Sequence, residues 1–170
     1  MDANTVTAVC AVVIALGSLA VSVTETRMTR QHNRHSVRPI LQLRRTKLLN
    51  DVPAGLRVVN CGLGPAIITK TLVRLDGNPV GGWNLPTYRQ VTDGFPIQPR
   101  VTTLTDGAAL PVGHEAFLLR LDDFEDERHS WFWELITVRL QVEIHYQSLY
   151  GGKTFVATTT PWPGNRPTPQ

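Results

Sequence analysis

Strict alternation of apolar and polar residues runs from residue 136 to residue 146. The apolar members fall at every second position, at Ile136, Val138, Leu140, Val142, Ile144 and Tyr146. Successive side chains of a β-strand point to opposite faces, so this spacing places the apolar side chains on one face and polar side chains on the other. The pattern predicts a half-buried strand of an antiparallel sheet over residues 135 to 146.

Shorter apolar runs indicate further strands. They cover residues 38 to 45, 55 to 60, 66 to 75, 115 to 121 and 153 to 159. Gly151 and Gly152 predict a hairpin that turns the long strand back onto the last run. Glycine and proline are frequent between residues 76 and 112, where we expect one or two more strands.

No convincing helical pattern follows residue 36. Many short strands separated by turns are typical of two packed sheets or of a closed barrel. The sequence therefore predicts a mainly β protein, and an Ig-like antiparallel β-sandwich over residues 37 to 160 is the best interpretation, with a barrel as the alternative. Residues 161 to 170 contain four prolines and form a tail that we expect to be extended or disordered.

Residues 5 to 23 form an uncharged segment of nineteen residues. A helix of this length, rising about 1.5 Å per residue, matches a hydrocarbon core about 30 Å thick. A cleaved signal peptide, with residues 18 to 20 as its cleavage site, and a buried helix of a soluble protein are the alternatives. Signal peptides begin with a basic region, whereas Asp2 is the one charged residue before this segment. We therefore expect an uncleaved transmembrane helix.

Four arginines follow this helix and none precedes it. They are Arg27, Arg30, Arg34 and Arg38. Basic flanks stay on the cytoplasmic side of a membrane, so we expect the N-terminus outside and the domain in the cytoplasm, at the cell membrane. Residues 24 to 36 are predicted to continue the helix as a basic stalk, so that residues 1 to 36 form one region. The arginines of this flank are candidates for contacts with anionic lipid headgroups.

The basic charge belongs to one segment rather than to the whole chain. Residues 27 to 47 hold seven basic residues and no acidic one, whereas residues from 48 onward hold ten basic and twelve acidic residues. A nucleic-acid-binding domain normally carries basic charge on its folded surface, so we expect no nucleic acid partner. Cys10 and Cys61, the two cysteines, are too few for a disulfide framework.

The segment from residue 60 to residue 66 reads Asn-Cys-Gly-Leu-Gly-Pro-Ala. A phosphate-binding loop would lead from a strand into a helix, but the residues that follow are β-branched and predict a strand. We expect a structural turn made by Asn60, Gly62, Gly64 and Pro65. The two glycines would supply the positive φ of a tight turn or bulge, and the proline would mark the boundary before the next strand.

This turn also carries a resemblance. Together with a Pro-x-Gly turn at residues 111 to 113 and a Tyr-x-Ser-x-Tyr-Gly hairpin at residues 146 to 151, it is similar to a recurring bacterial pattern. The pattern resembles uncharacterised bacterial single-pass membrane proteins that have an N-terminal helix and an Ig-like β-sandwich with an Asn-x-Gly-x-Gly-Pro-Ala turn. The resemblance implies a fold and a topology, and it implies no catalytic residues.

Candidate chemistry is sparse along the chain. Residues 122 to 127 hold five carboxylates, which could bind a metal ion together with His114 or His129, but their spacing does not match a calcium-binding loop. His129 and Ser130 are adjacent and would point to opposite faces of a strand, so they do not form a catalytic pair. Residues 151 to 154 mimic the end of a Walker A motif without its first glycine. We predict no catalytic residues, no metal site and no cofactor.

Three consecutive aromatic residues, Trp131, Phe132 and Trp133, precede the long strand. One or two of them are expected to fill the core. An exposed pair, Trp131 and Trp133, would instead mark a surface for a protein partner or for the membrane interface.

Taken together, these patterns predict a non-enzymatic, membrane-anchored β-sandwich. We expect it to bind the lipid bilayer through its helix and a protein partner, or a second copy of itself, at the cytoplasmic face. An envelope-facing binding or sensing domain of opposite orientation is one alternative. A metal-dependent enzyme that uses the acidic segment is the other.

The anchor generates the first testable prediction. The mature protein should begin at or near Met1, and it should stay in the membrane fraction during alkaline carbonate extraction. Protease added to intact spheroplasts should leave the domain whole, and permeabilisation should allow its cleavage.

A mature N-terminus near Val21 would show that the segment is a cleaved signal peptide. Cleavage of the domain in intact spheroplasts would contradict the cytoplasmic orientation. Neutral replacement of the four flanking arginines, combined with lysines added after Met1, should invert part of the population, because it reverses the charge difference across the helix.

Overall fold

The computed structural model describes residues 2 to 47 and 53 to 159, and for residues 5, 10 and 29 to 36 it describes the backbone alone. The predicted tail at residues 161 to 170 lies outside the described residues. The chain divides into two compact units, Met1–Ser36 and Val37–Gln170.

The first unit is a single helix, α1, which spans Ala3–Ser36. Its segment Val6–Met28 is long and apolar enough to cross a membrane, and its apolar side chains are exposed. A membrane span and a signal sequence both have these properties. The helix continues through the polar residues up to Ser36, as the sequence predicts for the stalk.

The second unit is built mainly of strands. Nine strands lie within the described residues: β1 (Leu41–Thr46), β2 (Ala54–Asn60), β3 (Ala66–Leu75), β4 (Asn78–Gly81), β5 (Arg100–Val101), β6 (Ala109–Leu110), β7 (Glu115–Leu121), β8 (Leu140–Ser148) and β9 (Phe155–Thr158). Two short helices, α2 (Leu85–Val91) and α3 (Ser130–Glu134), and a π-helical turn (Leu135–Arg139) connect them.

The strands form two antiparallel sheets. The first sheet has the order β1-β2-β7-β5, and the second has the order β4-β3-β8-β9, with β6 also paired to β3. Side chains from both sheets share one hydrophobic core, among them Leu56 and Leu119 of the first sheet and Ile68 and Ile144 of the second. The predicted mainly β architecture is confirmed at this level.

Apolar runs and turn residues predicted several elements well. β3 and β7 have the bounds that their apolar runs predicted. β8 and β9 pair as an antiparallel hairpin, and Gly151 and Gly152 in their connection have positive φ values of 66° and 98°. The β3–β4 turn is a two-residue connection in which Asp76 and Gly77 both have positive φ, as a tight hairpin turn requires.

The prediction of one strand over residues 135 to 146 is wrong for its first five residues, which form the π-helical turn. Leu135, Ile136 and Thr137 are all buried, and consecutive burial is incompatible with the alternating faces of a strand. The Thr137 hydroxyl donates to the Trp133 carbonyl oxygen at 2.6 Å and supports the helical path. The alternation of Val138 with its neighbours is therefore fortuitous, and Val138 is exposed.

The expectation that no helix follows residue 36 is also wrong. α2 begins after Asn84, whose side-chain oxygen accepts from the Thr87 amide at 3.0 Å, and Pro86 occupies the first turn. Directly before this cap, the buried Trp83 donates from Nε1 to the Thr102 carbonyl oxygen at 2.8 Å. Burial of Trp83 thus fixes the glycine- and proline-rich middle of the chain on the core.

The ion pair between Asp76 and Arg139 ties the β3–β4 turn to the π-helical turn. The Arg139 guanidinium donates to both carboxylate oxygens of Asp76, from Nη2 to Oδ2 at 2.8 Å and from Nε to Oδ1 at 2.9 Å. These hydrogen bonds lower the pKa of the Asp76 carboxyl below its ordinary value. Both groups are near the surface, so the pair contributes little stability.

Gly62 and Gly64 lie in the connection from β2 to β3, which carries the chain from the first sheet to the second. The predicted reason for these glycines is wrong, because neither has a positive φ. Their role is steric: a Cβ on Gly64 would overlap the Val37 carbonyl oxygen, and a Cβ on Gly62 would overlap the Ile40 amide nitrogen. Only glycine allows the two backbone segments to pass so closely.

This close approach generates a prediction. Gly64→Ala should destabilise the domain by about 3 kcal/mol, because the new methyl group cannot be accommodated without moving the backbone at Val37. Gly77→Asn is the matched control, since Gly77 has a positive φ and open space around it, which asparagine tolerates. Chemical denaturation of the detergent-solubilised protein measures both. Equal stability of the Gly64→Ala variant and the wild type would contradict the steric role.

Candidate functional site

The Asn60 side chain occupies the centre of one end of the β domain. It is fully buried, and its amide nitrogen donates to the carbonyl oxygens of Gly64 and Leu110, both at 2.9 Å. Its oxygen accepts from the Gly62 amide at 3.0 Å and from the Ile40 amide at 3.4 Å. A side-chain amide has two donors and two acceptor sites, and Asn60 uses all four.

Backbone hydrogen bonds extend this network. The Asn60 amide donates to the His114 carbonyl oxygen at 3.1 Å, and the Gly113 amide donates to the Asn60 carbonyl oxygen at 3.0 Å. The Leu63 amide donates to the Arg38 carbonyl oxygen at 3.0 Å. The predicted turn residues are therefore brought together, with β3 beginning directly after Pro65, as part of a larger junction.

Four segments meet at this junction, and we call them the anchor-side loops. They are residues 37 to 40, which follow α1 in the chain, residues 61 to 65, residues 111 to 114 and residues 149 to 154. The last segment joins them because Ala66 pairs with both Leu110 and Ser148. The Arg38 guanidinium lies over the Phe155 ring, 4.7 Å from its centroid, directly after that segment.

The outer face of the first sheet carries arginines from four strands. Arg44 of β1 pairs directly with Arg57 of β2, and Arg100 of β5 pairs directly with Arg120 of β7. Gly55 pairs with Arg120 and lies two residues from Arg57, so all four side chains share the face opposite the core. We call these four residues the arginine face.

Two carboxylates neutralise part of the arginine face. Glu115 accepts from Arg57 at 2.9 Å, and Asp122 contacts both Arg100 and Arg120 at 2.9 Å. Arg44 donates instead to the neutral Gln42 side chain at 2.7 Å. Four guanidinium groups against two carboxylates leave a positive surplus on this face.

The opposite end of the domain carries most of the predicted acidic segment. Asp122 belongs to the arginine pairs, Glu125 pairs with Arg128 at 3.3 Å, and Asp126 pairs with Lys47 at 2.6 Å. A shallow groove of about 180 Å³ lies beside this segment, lined in part by Ile97, Arg120 and His129. Of the charged residues that line it, Arg100 and Arg120 are already paired with Asp122.

The two histidines considered as metal ligands are far apart. His129 uses its Nδ1 to accept from the Glu125 amide at 2.9 Å, so it organises the acidic segment and the start of α3. His114 lies at the other end of β7, whose seven residues place the two ends about 20 Å apart. Within residues 2 to 47 and 53 to 159, no cluster of three or more potential ligands is positioned to hold a metal ion.

The aromatic residues before β8 divide between core and surface. Phe132 is fully buried, whereas Trp131 and Trp133 are half-buried and pack against the core from its edge. Trp131 stacks on Phe95 with ring centroids 4.6 Å apart, and the Lys47 ammonium lies 5.4 Å from the Trp133 ring centroid. The two tryptophans thus have intramolecular partners while keeping part of their surface exposed.

The remaining sequence-predicted residues lie apart from these features. Glu143 and His145 are hydrogen-bonded to each other on the outer face of the second sheet. Arg27 is exposed on α1, and the side chains of Arg30 and Arg34 lie outside the described part of the structure. Ser130 and His129 lie at the start of α3. The expectation that this pair lies on a strand is therefore wrong.

No protein-family model, no curated protein and no solved structure matches this chain. The similarity to bacterial membrane proteins therefore stays a prediction from sequence motifs, and function is inferred from the residues themselves.

The arginine face and Trp83 are absent from the sequence-based prediction. Each arginine follows or precedes an apolar residue in an ordinary strand pattern, and only the strand register brings the four together. The signal for Trp83 was present, because a large aromatic residue directly before an Asn-x-Pro helix start is a strong candidate for burial.

The Asn60 network generates a prediction that separates its donors from its acceptors. Asn60→Asp keeps the shape of the side chain but removes both donors, leaving the Gly64 and Leu110 carbonyl oxygens buried beside a carboxylate. The free energy of unfolding should fall by about 3 kcal/mol or more.

Asn84→Asp is the matched control, because the cap of α2 uses the side-chain oxygen alone and aspartate caps equally well. Denaturation of the two variants under identical conditions makes the comparison. Equal loss in both variants would contradict the role of the Asn60 donors.

Proposed function

We propose that this protein is a non-enzymatic, single-pass membrane protein whose Ig-like β-sandwich binds an acidic protein partner at the cytoplasmic face of the cell membrane. The observation that carries the proposal is the arginine face. Like charges directly opposite each other on neighbouring strands destabilise a sheet, by roughly 0.2–1 kcal/mol per pair. The domain has two such pairs on one face, at Arg44 with Arg57 and at Arg100 with Arg120.

An acidic partner surface would relieve this repulsion. Complementary charge across an interface speeds association and selects the partner, and arginine is favoured where carboxylates are bound in pairs. Phe117 lies on the same face, packed over Gly55, and adds an apolar contact between the two arginine pairs. The face thus combines positive surplus, planar donors and an aromatic ring.

Self-assembly is the second candidate. Asp123 and Glu127 are exposed at the acidic end, and neither has an ion-pair partner among the residues that the structure describes. They could supply acidic groups to the arginine face of a second copy.

The helix and its flanking charge support the membrane assignment and its orientation. Val6–Met28 of α1 meets the length and composition of a span, and the arginines follow it rather than precede it. Cys61 is free and exposed, which suits a reducing compartment. The envelope-facing alternative requires the opposite orientation.

The non-enzymatic assignment is supported by the state of the candidate catalytic groups. His129 is engaged with the backbone, and Asp122, Glu125 and Asp126 are engaged with cations. His114 is separated from the acidic segment by the length of β7.

The proposal is tested by co-purification from mild detergent after crosslinking in cells, quantified by mass spectrometry. A partner with an acidic surface should be recovered with the wild type and should be released at raised salt, because screening weakens exposed charge pairs. Arg44→Gln combined with Arg100→Gln should abolish most of the recovery.

Arg74→Gln combined with Arg89→Gln is the matched control, since both residues are exposed on other faces of the domain. Equal recovery from both double variants would contradict binding through the arginine face. Recovery of the protein's own chain, lost when Asp123 and Glu127 are replaced by asparagine and glutamine, would establish self-assembly instead.

A further inference from the structure

The anchor-side loops expose large apolar side chains on three separate segments. Leu63 is 75% exposed, Val112 52%, Leu149 61% and Tyr150 55%. These residues belong to the connections from β2 to β3, from β6 to β7 and from β8 to β9, which converge on the Asn60 junction. Single exposed apolar residues are ordinary, whereas their convergence on one end of a domain indicates a contact surface.

The charge of these loops has one sign. Residues 37 to 40, 61 to 65, 111 to 114 and 149 to 154 contain Arg38 and Lys153 and no carboxylate. The acidic segment at residues 122 to 127 follows the opposite end of β7. The domain is therefore polarised along its strands, with an apolar and basic end and an acidic end.

The apolar and basic end is also the end at which the chain arrives from α1. Val37 follows the last residue of the helix, and its carbonyl oxygen lies directly against Gly64. Eight residues lie between Met28, the end of the candidate span, and Val37, and at about 1.5 Å per helical step the chain rises about 13 Å from one to the other. Measured along the helix axis, Val37 therefore lies no more than about 13 Å beyond the end of the span.

We propose that the anchor-side loops dock into the headgroup layer of the membrane that holds α1. The inference rests on the proposed function in one respect, that α1 is a membrane anchor. Leu63, Val112 and Leu149 insert at the boundary of headgroups and acyl chains, and Tyr150 lies at the level that tyrosine favours in membranes. Arg38 and Lys153 contact anionic headgroups, with the Arg38 guanidinium positioned over the edge of the domain by the Phe155 ring beneath it.

The bilayer is the occupant that the structure favours over a second copy of the domain. A loop surface on a tethered domain is held next to its own membrane at high effective concentration, whereas a second copy must be recruited. The combination of aliphatic tips, a tyrosine, basic residues and no carboxylate matches an anionic membrane interface. Docking by this end also directs the acidic segment away from the anionic surface and leaves the arginine face at the side of the domain.

The test uses the full chain in vesicles that contain anionic and zwitterionic lipids. In a background of Cys10→Ser and Cys61→Ser, single cysteines replace Leu63, Val112 or Leu149 and carry an environment-sensitive fluorophore. Lipids with a nitroxide near the headgroup should quench most of its emission, and aqueous iodide should quench little. Fluorophores at Asp123 and Glu127, at the acidic end, should show the reverse.

A label at Ile14 of α1 separates the two claims. If lipids with a deep nitroxide quench it, the anchor is in the bilayer, and the loop labels then test docking alone. Loop labels that iodide quenches freely would overturn docking, and so would loop labels that neither quencher reaches, which would indicate contact with a second protein chain. Loss of quenching at Ile14 would overturn the anchor itself, and docking with it.

A variant provides an independent check. Leu63→Ser combined with Val112→Ser and Leu149→Ser should leave the domain folded, since these side chains are exposed, and should release a label at position 150 into water. Leu85→Ser combined with Ile97→Ser and Val138→Ser, exposed elsewhere on the domain, should leave that label quenched by lipid. Equal behaviour of the two triple variants would contradict docking through these loops.

Discussion

Burial of one asparagine amide constrains the whole end of the domain that follows the helix. Asn60 can satisfy its four hydrogen-bonding sites only if residues 37 to 40, the β2–β3 connection and β6 are all in place around it. A buried amide without partners costs a large fraction of a domain's stability. The same network that protects Asn60 therefore fixes the arrival of the chain from α1, the crossing between the sheets and the turn before β7.

The elements predicted from sequence were those whose signal is local. β3 and β7 are apolar-rich runs that end at prolines, glycines or acidic residues, and the sequence predicted the bounds of both strands correctly. The π-helical turn was mistaken for a strand because its residues alternate between apolar and polar in the sequence. Their burial is set instead by tertiary packing, which buries Leu135 and Ile136 in succession. The sequence contains a helix-start signal for α2 at Asn84. The helix was missed because the glycines and prolines of the surrounding segment are typical of loops.

The candidate site was less predictable, for a physical reason. A glycine in a sequence indicates either a positive φ or a close contact, and Gly64 proved to be the second kind. The arginine face depends on strand register, so the pairing of Arg44 with Arg57 cannot be read from either strand alone. Asn60 was identified as a turn residue, but its four partners lie up to fifty residues away in the chain.

Charge and polarity then follow the direction of the strands. The end joined to the helix is apolar and basic, the far end is acidic, and the arginine face lies between them on the first sheet. The proposed lipid contacts lie at the end joined to the helix, and the proposed partner surface lies on the first sheet, so that one contact would not block the other. The Asn60 junction fixes the loops at the end joined to the helix in their positions relative to the two sheets.

Hydrogen exchange on the full chain in lipid nanodiscs tests this junction most directly. The amides of Gly62 and Leu63, in the β2–β3 connection, and of Gly113, in the β6–β7 connection, donate to Asn60 or to Arg38. If the junction is one cooperative unit, these amides should exchange together and only through unfolding of the whole domain. Exchange of the Gly113 amide through independent local opening, while Gly62 and Leu63 stay protected, would contradict it.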